Sequence, residues 1–227
     1  MKVAFLGKGG SGKSTMATAF VRHLRSQGVR VLAIDADHNM DLSYNLGIEP
    51  TLFLGADPDG IKAYVGSERV GGFIQALKVA REGGIHFTIS PADKYTKSVS
   101  IEVEEGLRLM TAGPHTERVR SQEACSHSLA APLKVYLPLL ELNPNEAVVI
   151  DERAGTDPVA TGILSGVDLA VIVREPTINS QRVAEQIKQE LGIAKVPHLI
   201  VDNKIDDLAT DTQNAIGNIR SVLVSSA

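Results

Sequence analysis

A mostly parallel β-sheet flanked by helices on both faces is the fold class this sequence predicts, and three observations carry it. Short, wholly apolar runs recur along the chain, as strands buried on both sides require. Stretches with apolar residues three and four apart separate them, which gives the alternation of an α/β sheet. The first apolar run leads straight into a glycine-rich turn and then a helical pattern, as a βαβ unit begins.

Taken in order, residues 2–6 read as the first buried strand. Ala17, Phe20, Val21 and Leu24 then share one helical face before Gly28 stops the helix. Residues 29–34 form the second strand, and later runs at 107–110, 147–150, 169–173 and 198–201 alternate with helical stretches such as 180–191. Residues 51–105 are less regular. Gly55, Asp57, Pro58, Gly60, Gly71 and Gly72 break the pattern there, and Pro91 follows a candidate strand at 85–89. Beyond Asn203 the sequence has room for one helix and one strand.

The length of 227 residues suits a single domain over 1–227. With 43% hydrophobic and 22% charged residues, neither disorder nor a fibrous repeat is indicated. Aromatic residues make up only 4% and the net charge is −4, so nucleic acid is not the expected partner. No apolar stretch approaches the ~20 residues of a membrane span, and the N-terminus lacks a secretory pattern. The one cysteine, Cys125, excludes an intrachain disulfide and fits a reducing compartment, so a cytoplasmic protein is expected.

"GKGGSGKST", residues 7–15, carries the phosphate-loop spacing through Gly7, Gly12, Lys13 and Ser14. Gly9, Gly10 and Gly12, with Ser11 between them, let backbone N–H groups converge on phosphate oxygens, and the helix starting near Lys13 adds its positive end. Lys13 is placed to reach the terminal phosphates, Ser14 to set its hydroxyl on Mg²⁺, and Thr15 to hold the α-phosphate. With a strand before and a helix after it, this loop predicts a P-loop NTPase fold. Carboxylates at strand ends suit such a site: Asp35, Asp37 and Asp41 after the second strand, and Asp151 in "VVIDERAGTD". They can contact Mg²⁺ through water or orient an attacking water. In "VDNKIDD", Asn203 can donate and accept at once, which suits a purine edge.

Lys8 is not needed by the loop itself. Residues 8–14 resemble the deviant Walker A motif, KGGxGK[ST], of the family that includes MinD, ParA and the nitrogenase iron protein. The resemblance implies that Lys8 crosses a homodimer interface to the nucleotide of the other subunit. It also implies that Asp37 positions water and that Asp41 belongs to a first switch, with His38 standing where the family has proline. Asp151, Ala154 and Gly155 match the family's DxxAG switch, in which Asp151 holds a Mg²⁺-bound water and the Gly155 N–H senses the γ-phosphate. Glu152 and Arg153 are bulkier than that pattern and are expected to face a partner subunit, or else to form an ordinary surface ion pair. Asn203 to Asp206 also resembles the guanine-reading NKxD of GTPases, so ATP is favoured by family precedent and GTP stays open.

One cysteine is too few for the shared iron–sulfur cluster, "SVLVSSA" is no amphipathic membrane tail, and the acidic pI of 5.9 does not favour DNA. The chain also resembles the CooC-type branch that matures the nickel centre of carbon monoxide dehydrogenase. "VREPTINSQR" and "VDNK" share in that resemblance. Where that branch carries Cys-x-Cys, this chain has Cys125-x-His127. Two copies would give a Cys₂His₂ site for Ni²⁺ or Zn²⁺ at the dimer interface. The expectation is an ATP-hydrolysing dimeric switch serving a metalloenzyme client. A ParA- or MinD-like positioning ATPase and a nucleotide-stabilised scaffold without turnover are the alternatives.

Overall fold

The computed structural model describes residues 1–67 and 71–225. Its strands are β1 (Lys2–Gly7), β2 (Arg30–Asp35), β3 (Ser100–Glu104), β4 (Leu107–Thr111), β5 (Glu146–Asp151), β6 (Leu169–Arg174) and β7 (His198–Asp202). They form one sheet in the order β3-β4-β2-β5-β1-β6-β7. Every pairing is parallel except that of β3 with β4. The helices are α1 (Lys13–Ser26), α2 (Asp41–Asn45), α3 (Gly60–Tyr64), α4 (Phe73–Glu82), α5 (Lys94–Val99), α6 (Glu117–Arg120), α7 (Leu133–Leu139), α8 (Asp157–Ala160), α9 (Ile178–Ala194) and α10 (Leu208–Ser225).

Strand residues alternate between two cores, which is why the runs are apolar throughout. Val3 and Phe5 of β1 join Val31, Ala33, Val149 and Val171 under α1 and α10, packed by Phe20, Val21, Leu24, Ala215 and Ile219. Ala4 and Leu6 join Leu32, Ile34, Val148, Ile150 and Ile172 on the opposite face, covered from α4, α7 and α9 by Ala76, Ala80, Val135, Leu137, Ile187 and Leu191. Each large apolar side chain so buried stabilises the fold by about 1.5–3 kcal/mol. Among the described residues, no helix is long and apolar enough to cross a membrane.

Two expectations need correction. Residues 85–89 make only isolated bridges, Phe87 to Leu140 and Ile89 to Ala92. The chain is drawn out of strand geometry there because Asp93 accepts from the Thr88 N–H at 2.8 Å while capping α5 through the Thr96 N–H at 2.9 Å. Beyond Asn203 one long helix, α10, takes the place of a helix and a strand, because Ala215 and Ile219, four apart, are both buried. The expectation for the tail "SVLVSSA" reaches residues 226 and 227, which lie outside the described residues. In the irregular region, β3 forms an antiparallel edge whose outer residues Glu102 and Glu104 are exposed, with a register shift between them. Charge and irregularity of this kind keep an edge from pairing with another chain.

Phe87 is fully buried, with its ring 4.8 Å from Tyr136, 5.4 Å from Tyr95 and 5.6 Å from Tyr64. Replacing Phe87 by Ala should therefore lower unfolding free energy by about 3–5 kcal/mol in a denaturant titration, and by Leu far less.

Candidate nucleotide site

The central strand β1 lies between β5 and β6, and the loop that follows it opens into the crevice past their C-terminal ends. Ligands of open α/β sheets bind at such a position. Gly7, Gly10 and Gly12 hold φ of 152°, 80° and 97°, values that side chains resist. A Cβ at Gly12 would also run into the Asn203 amide.

Each carbonyl from residue 7 to residue 12 is engaged by a donor of the chain itself. The Gly155 N–H reaches Gly7 O at 3.1 Å, Ser11 N–H reaches Lys8 O at 3.1 Å, and Met16 N–H reaches Gly12 O at 2.9 Å. Lys8 Nζ lies 3.3 Å from Gly9 O, Lys204 Nζ 2.7 Å from Gly10 O, and Asn203 Nδ2 2.8 Å from Ser11 O. By contrast, the N–H groups of Gly9, Gly10 and Gly12 have no acceptor among the described residues. Helix α1 starts at Lys13 with no side-chain cap, so its first N–H groups join that unpaired set. Donors without acceptors around a helix start are what an anion requires. Lys13 is buried, Ser14 half-buried and Thr15 exposed along a cavity of about 620 Å³ that Asp41, Asn45, Asn203, Lys204, Asp206, Leu208 and Asp211 also line.

Buried carboxyls gather beside the loop. Asp35 accepts from Ser43 N–H at 2.8 Å and Ser43 Oγ at 2.7 Å, but its Oδ1 lacks a partner. Burial pushes its pKa up to about 6, against the pull of those bonds. Asp151, at the end of β5, has neither oxygen in a well-formed hydrogen bond. Burial raises it to about 7, opposed by the nearby Ser14 hydroxyl and Lys13. Asp37 is half-buried, accepts from Asn39 N–H at 3.1 Å and stands 3.2 Å from His38 Nδ1, whose ring stacks on His115. Asp41 is exposed at the start of α2.

Glu152 corrects an expectation. It points inward, 1% exposed, with both carboxyl oxygens unpartnered and a pKa raised by burial to about 8. It follows Asp151 at the end of a strand that is buried throughout, so the chain buries it too. Arg153 is half-buried, and its guanidinium lies 3.5 Å from Ser126 Oγ. Asn203 is 3% exposed, and its amide braces the loop, a contact that purine reading alone does not explain. Gly155 (φ 93°) gives its N–H to Gly7 O, so contact with a γ-phosphate would require that bond to be exchanged.

Two features escaped sequence reading. Glu175, 8% exposed, sets Oε1 3.3 Å from Lys8 Nζ and Oε2 2.8 Å from Lys204 Nζ. The Lys204 hydrogen bond, then that of Lys8, hold its pKa below the usual carboxylate range. Asp211 accepts the backbone N–H groups of Lys204, Ile205 and Asp206, which fixes Lys204 in its left-handed conformation, φ 62°. Away from the cavity, Cys125 Sγ lies 2.6 Å from His127 Nδ1, while His127 Nε2 lies 2.9 Å from Asp157 Oδ2. Asp157 and Cys125 raise the imidazole pKa, and His127 lowers that of the thiol. Among the described residues, no three His, Cys, Asp or Glu side chains are grouped to hold a metal ion.

Asp35, Asp151 and Glu152 have folded-state pKa values above their unfolded ones, so the folded chain binds more protons between about pH 4 and 8 and loses stability as pH rises through that window. Nucleotide-free protein should melt at a lower temperature near pH 8 than near pH 5.5, with a flatter slope for Asp151→Asn. Gly12→Ala should weaken nucleotide binding by about tenfold or more in an equilibrium titration. Gly28→Ala serves as the control, since its φ is 75° but it has open space around it.

Residues 3–221 match the model of the CobQ/CobB/MinD/ParA nucleotide binding domain. The carbon monoxide dehydrogenase accessory protein CooC of Rhodospirillum rubrum is 30% identical over 203 residues, covering 88% of this chain and 73% of the relative. An uncharacterized ATP-binding protein of Methanocaldococcus jannaschii is 29% identical over 217 residues, 93% and 81% of the two chains. Among solved structures, a ParA family ATPase from Chlorobium tepidum superposes with a TM-score of 0.60 at 19% identity, covering 95% of this chain and 80% of that one. The septum site-determining protein MinD from Pyrococcus horikoshii, complexed with Mg-ADP, gives 0.58 at 18%, covering 94% and 76%. A braced phosphate loop at the centre of a matching sheet, with the family model spanning nearly the whole chain, places this protein in the CobQ/CobB/MinD/ParA nucleotide-binding family as a P-loop ATPase.

Proposed function

We propose that this ATPase is a dimeric switch: residues 1–227 act as one domain, two copies close around two ATP molecules, and hydrolysis releases them to act on a metalloenzyme client. The observation that carries the reading is Lys8. It stands at the rim of the site, its side chain 35% exposed, and makes its contacts with Glu175 and Gly9 O rather than within the phosphate cradle. A cation so placed is available to a neighbouring nucleotide, where charge develops on the phosphate oxygens during transfer. Ile178, Ile205 and Leu208 support the closed dimer, because they are 84%, 55% and 57% exposed next to the Glu175 and Lys204 segments that flank the mouth. A second copy of the chain would cover them.

The residues fit Mg²⁺. The Ser14 hydroxyl is close to Asp151, whose buried oxygens lack partners, and Asp35 adds another unpartnered oxygen. When bound, the ion would neutralise charge on the phosphates. Lys13 and the loop N–H groups would hold the phosphates, Asp37 would orient the attacking water, and Asp41 would move with α2 as a first switch. Asn203, which braces the loop at Ser11 O and also lines the cavity, would contact the purine, and ATP is the nucleotide in this reading.

Similarity to CooC supports metallocentre maturation as the output. The pair Cys125 and His127 supports a shared Ni²⁺ or Zn²⁺ site in which each copy gives one thiolate and one imidazole. Asp157 would orient the ring from its other nitrogen, as carboxylates do behind metal-bound histidines.

Lys13→Ala should lose nucleotide binding. Lys8→Ala should still bind ATP, hydrolyse it about 10²-fold or more slowly, and keep its monomer mass when a nonhydrolysable analogue is added. Wild type that neither binds nucleotide nor changes mass would defeat the switch. For the metal, Ni²⁺ and Zn²⁺ titrations should show tighter binding to wild type than to Cys125→Ser, and equal binding would remove the site from the proposal.

A further inference from the structure

Glu175 lies directly after β6, in a stretch whose backbone is pinned on both sides. Its N–H donates to Ser180 Oγ at 3.0 Å, and Thr177 N–H returns to Glu175 O at 2.7 Å. Thr177 caps α9 through the Ser180 N–H and sets its own hydroxyl 3.4 Å from Glu175 Oε1. The carboxylate therefore has a fixed address, and it is almost enclosed, with only 10% of its side chain exposed. From that address it divides its two oxygens between two cations: Lys8 on the phosphate loop and Lys204 on the loop that borders the other end of the cavity. Lys8 is separated from Glu175 by 167 residues and Lys204 by 29, so the contact exists only in the assembled sheet.

The two contacts are unequal. Lys204 is closer, at 2.8 Å against 3.3 Å, and is held a second time by Gly10 O at 2.7 Å. Its backbone is fixed by Asp211 as well. Among the described residues, Lys8 has, besides Glu175, only the neighbouring Gly9 carbonyl at 3.3 Å. A nearly buried carboxylate left with no cation would be costly, whereas one that keeps Lys204 after losing Lys8 stays compensated. The arrangement can thus release Lys8 at modest cost and cannot easily release Lys204.

We propose that Glu175 is a positioning residue that stores Lys8 within its own subunit while nucleotide is absent and sets how much ATP is needed before Lys8 is given up to the partner's phosphates. This rests on the dimeric reading above. Phosphate charge across the interface competes with one carboxylate for one ammonium, so removing the carboxylate tilts the balance toward the dimer.

Two readouts on full-length protein test it. In nucleotide-free protein, acylation of Lys8 by an amine-reactive probe, mapped by peptide mass and referenced to the exposed Lys97, should be about three- to tenfold faster in Glu175→Gln than in wild type. The concentration of nonhydrolysable ATP analogue giving half dimerisation should fall by about the same factor. Glu175→Asp keeps the charge but shortens its reach, and should move both readouts the same way by less; it serves if the Gln variant folds poorly. Wild type that dimerises while neither variant shifts Lys8 labelling or the half-dimerisation point would overturn this proposal alone. Wild type that stays monomeric with the analogue would overturn the dimeric reading and this proposal together.

Discussion

Six consecutive carbonyls, from Gly7 to Gly12, are each occupied by a donor from within the chain, and most of what the site can do follows from that. A glycine-rich turn left to itself samples many conformations, with N–H and C=O groups facing either way. Here the carbonyls are satisfied by the Ser11 and Met16 amides and the Lys8 ammonium within the loop and helix, by Gly155 after β5, and by Asn203 and Lys204 after β7. With the acceptors taken, the N–H groups of Gly9, Gly10 and Gly12 are the polar groups left over. They form a cradle for phosphate because the sheet places the ends of β5 and β7 near the loop that leaves β1.

Charge then decides what the cradle will accept. Lys13 and the start of α1 are positive, while Asp35, Asp151 and Glu152 are buried close by with five oxygens lacking partners between them. Burial lifts all three toward neutrality, to pKa values of about 6, 7 and 8. A divalent cation arriving with a polyphosphate would compensate Asp35 and Asp151 while the loop compensates the phosphates. In the proposed switch, the nucleotide-free protein would carry an electrostatic cost that Mg²⁺ and nucleotide would remove.

The central half of this molecule is plain in its sequence. Strands β1, β2, β5 and β6 are apolar at their interior positions on both faces because helices cover both, with charged residues only at their ends, and the loop after β1 needs glycine where φ is positive. The region from 51 to 105 resisted reading for equally physical reasons. Its helices are mostly short, and edge strand β3 buries only Ser100 fully, so neither the helical nor the strand period has room to show. Residues 85–89 carry a strand-like composition, but a turn closed by Asp93 leaves them only isolated bridges. In the site, residues that bind through backbone spacing were legible, and residues that act through the fold were not. Glu175 is an unremarked acid in "VREPT" until β1, β6 and β7 set two lysines against it. Glu152 reads as a surface charge until β5 is seen to bury it.

Whether Asn203 serves the phosphate cradle or the base separates this account from a simpler one in which the loop holds itself. The direct measurement is the affinity of wild type, Asn203→Ala and Lys204→Met for ATP and, in parallel, for inorganic tripolyphosphate, which has no base or sugar. If bracing shapes the cradle, each variant should weaken the two ligands by a similar factor, about tenfold for the buried Asn203 hydrogen bond and less for the exposed one of Lys204. A loss confined to ATP, with tripolyphosphate bound as tightly as by wild type, would contradict it and assign these residues to base recognition alone.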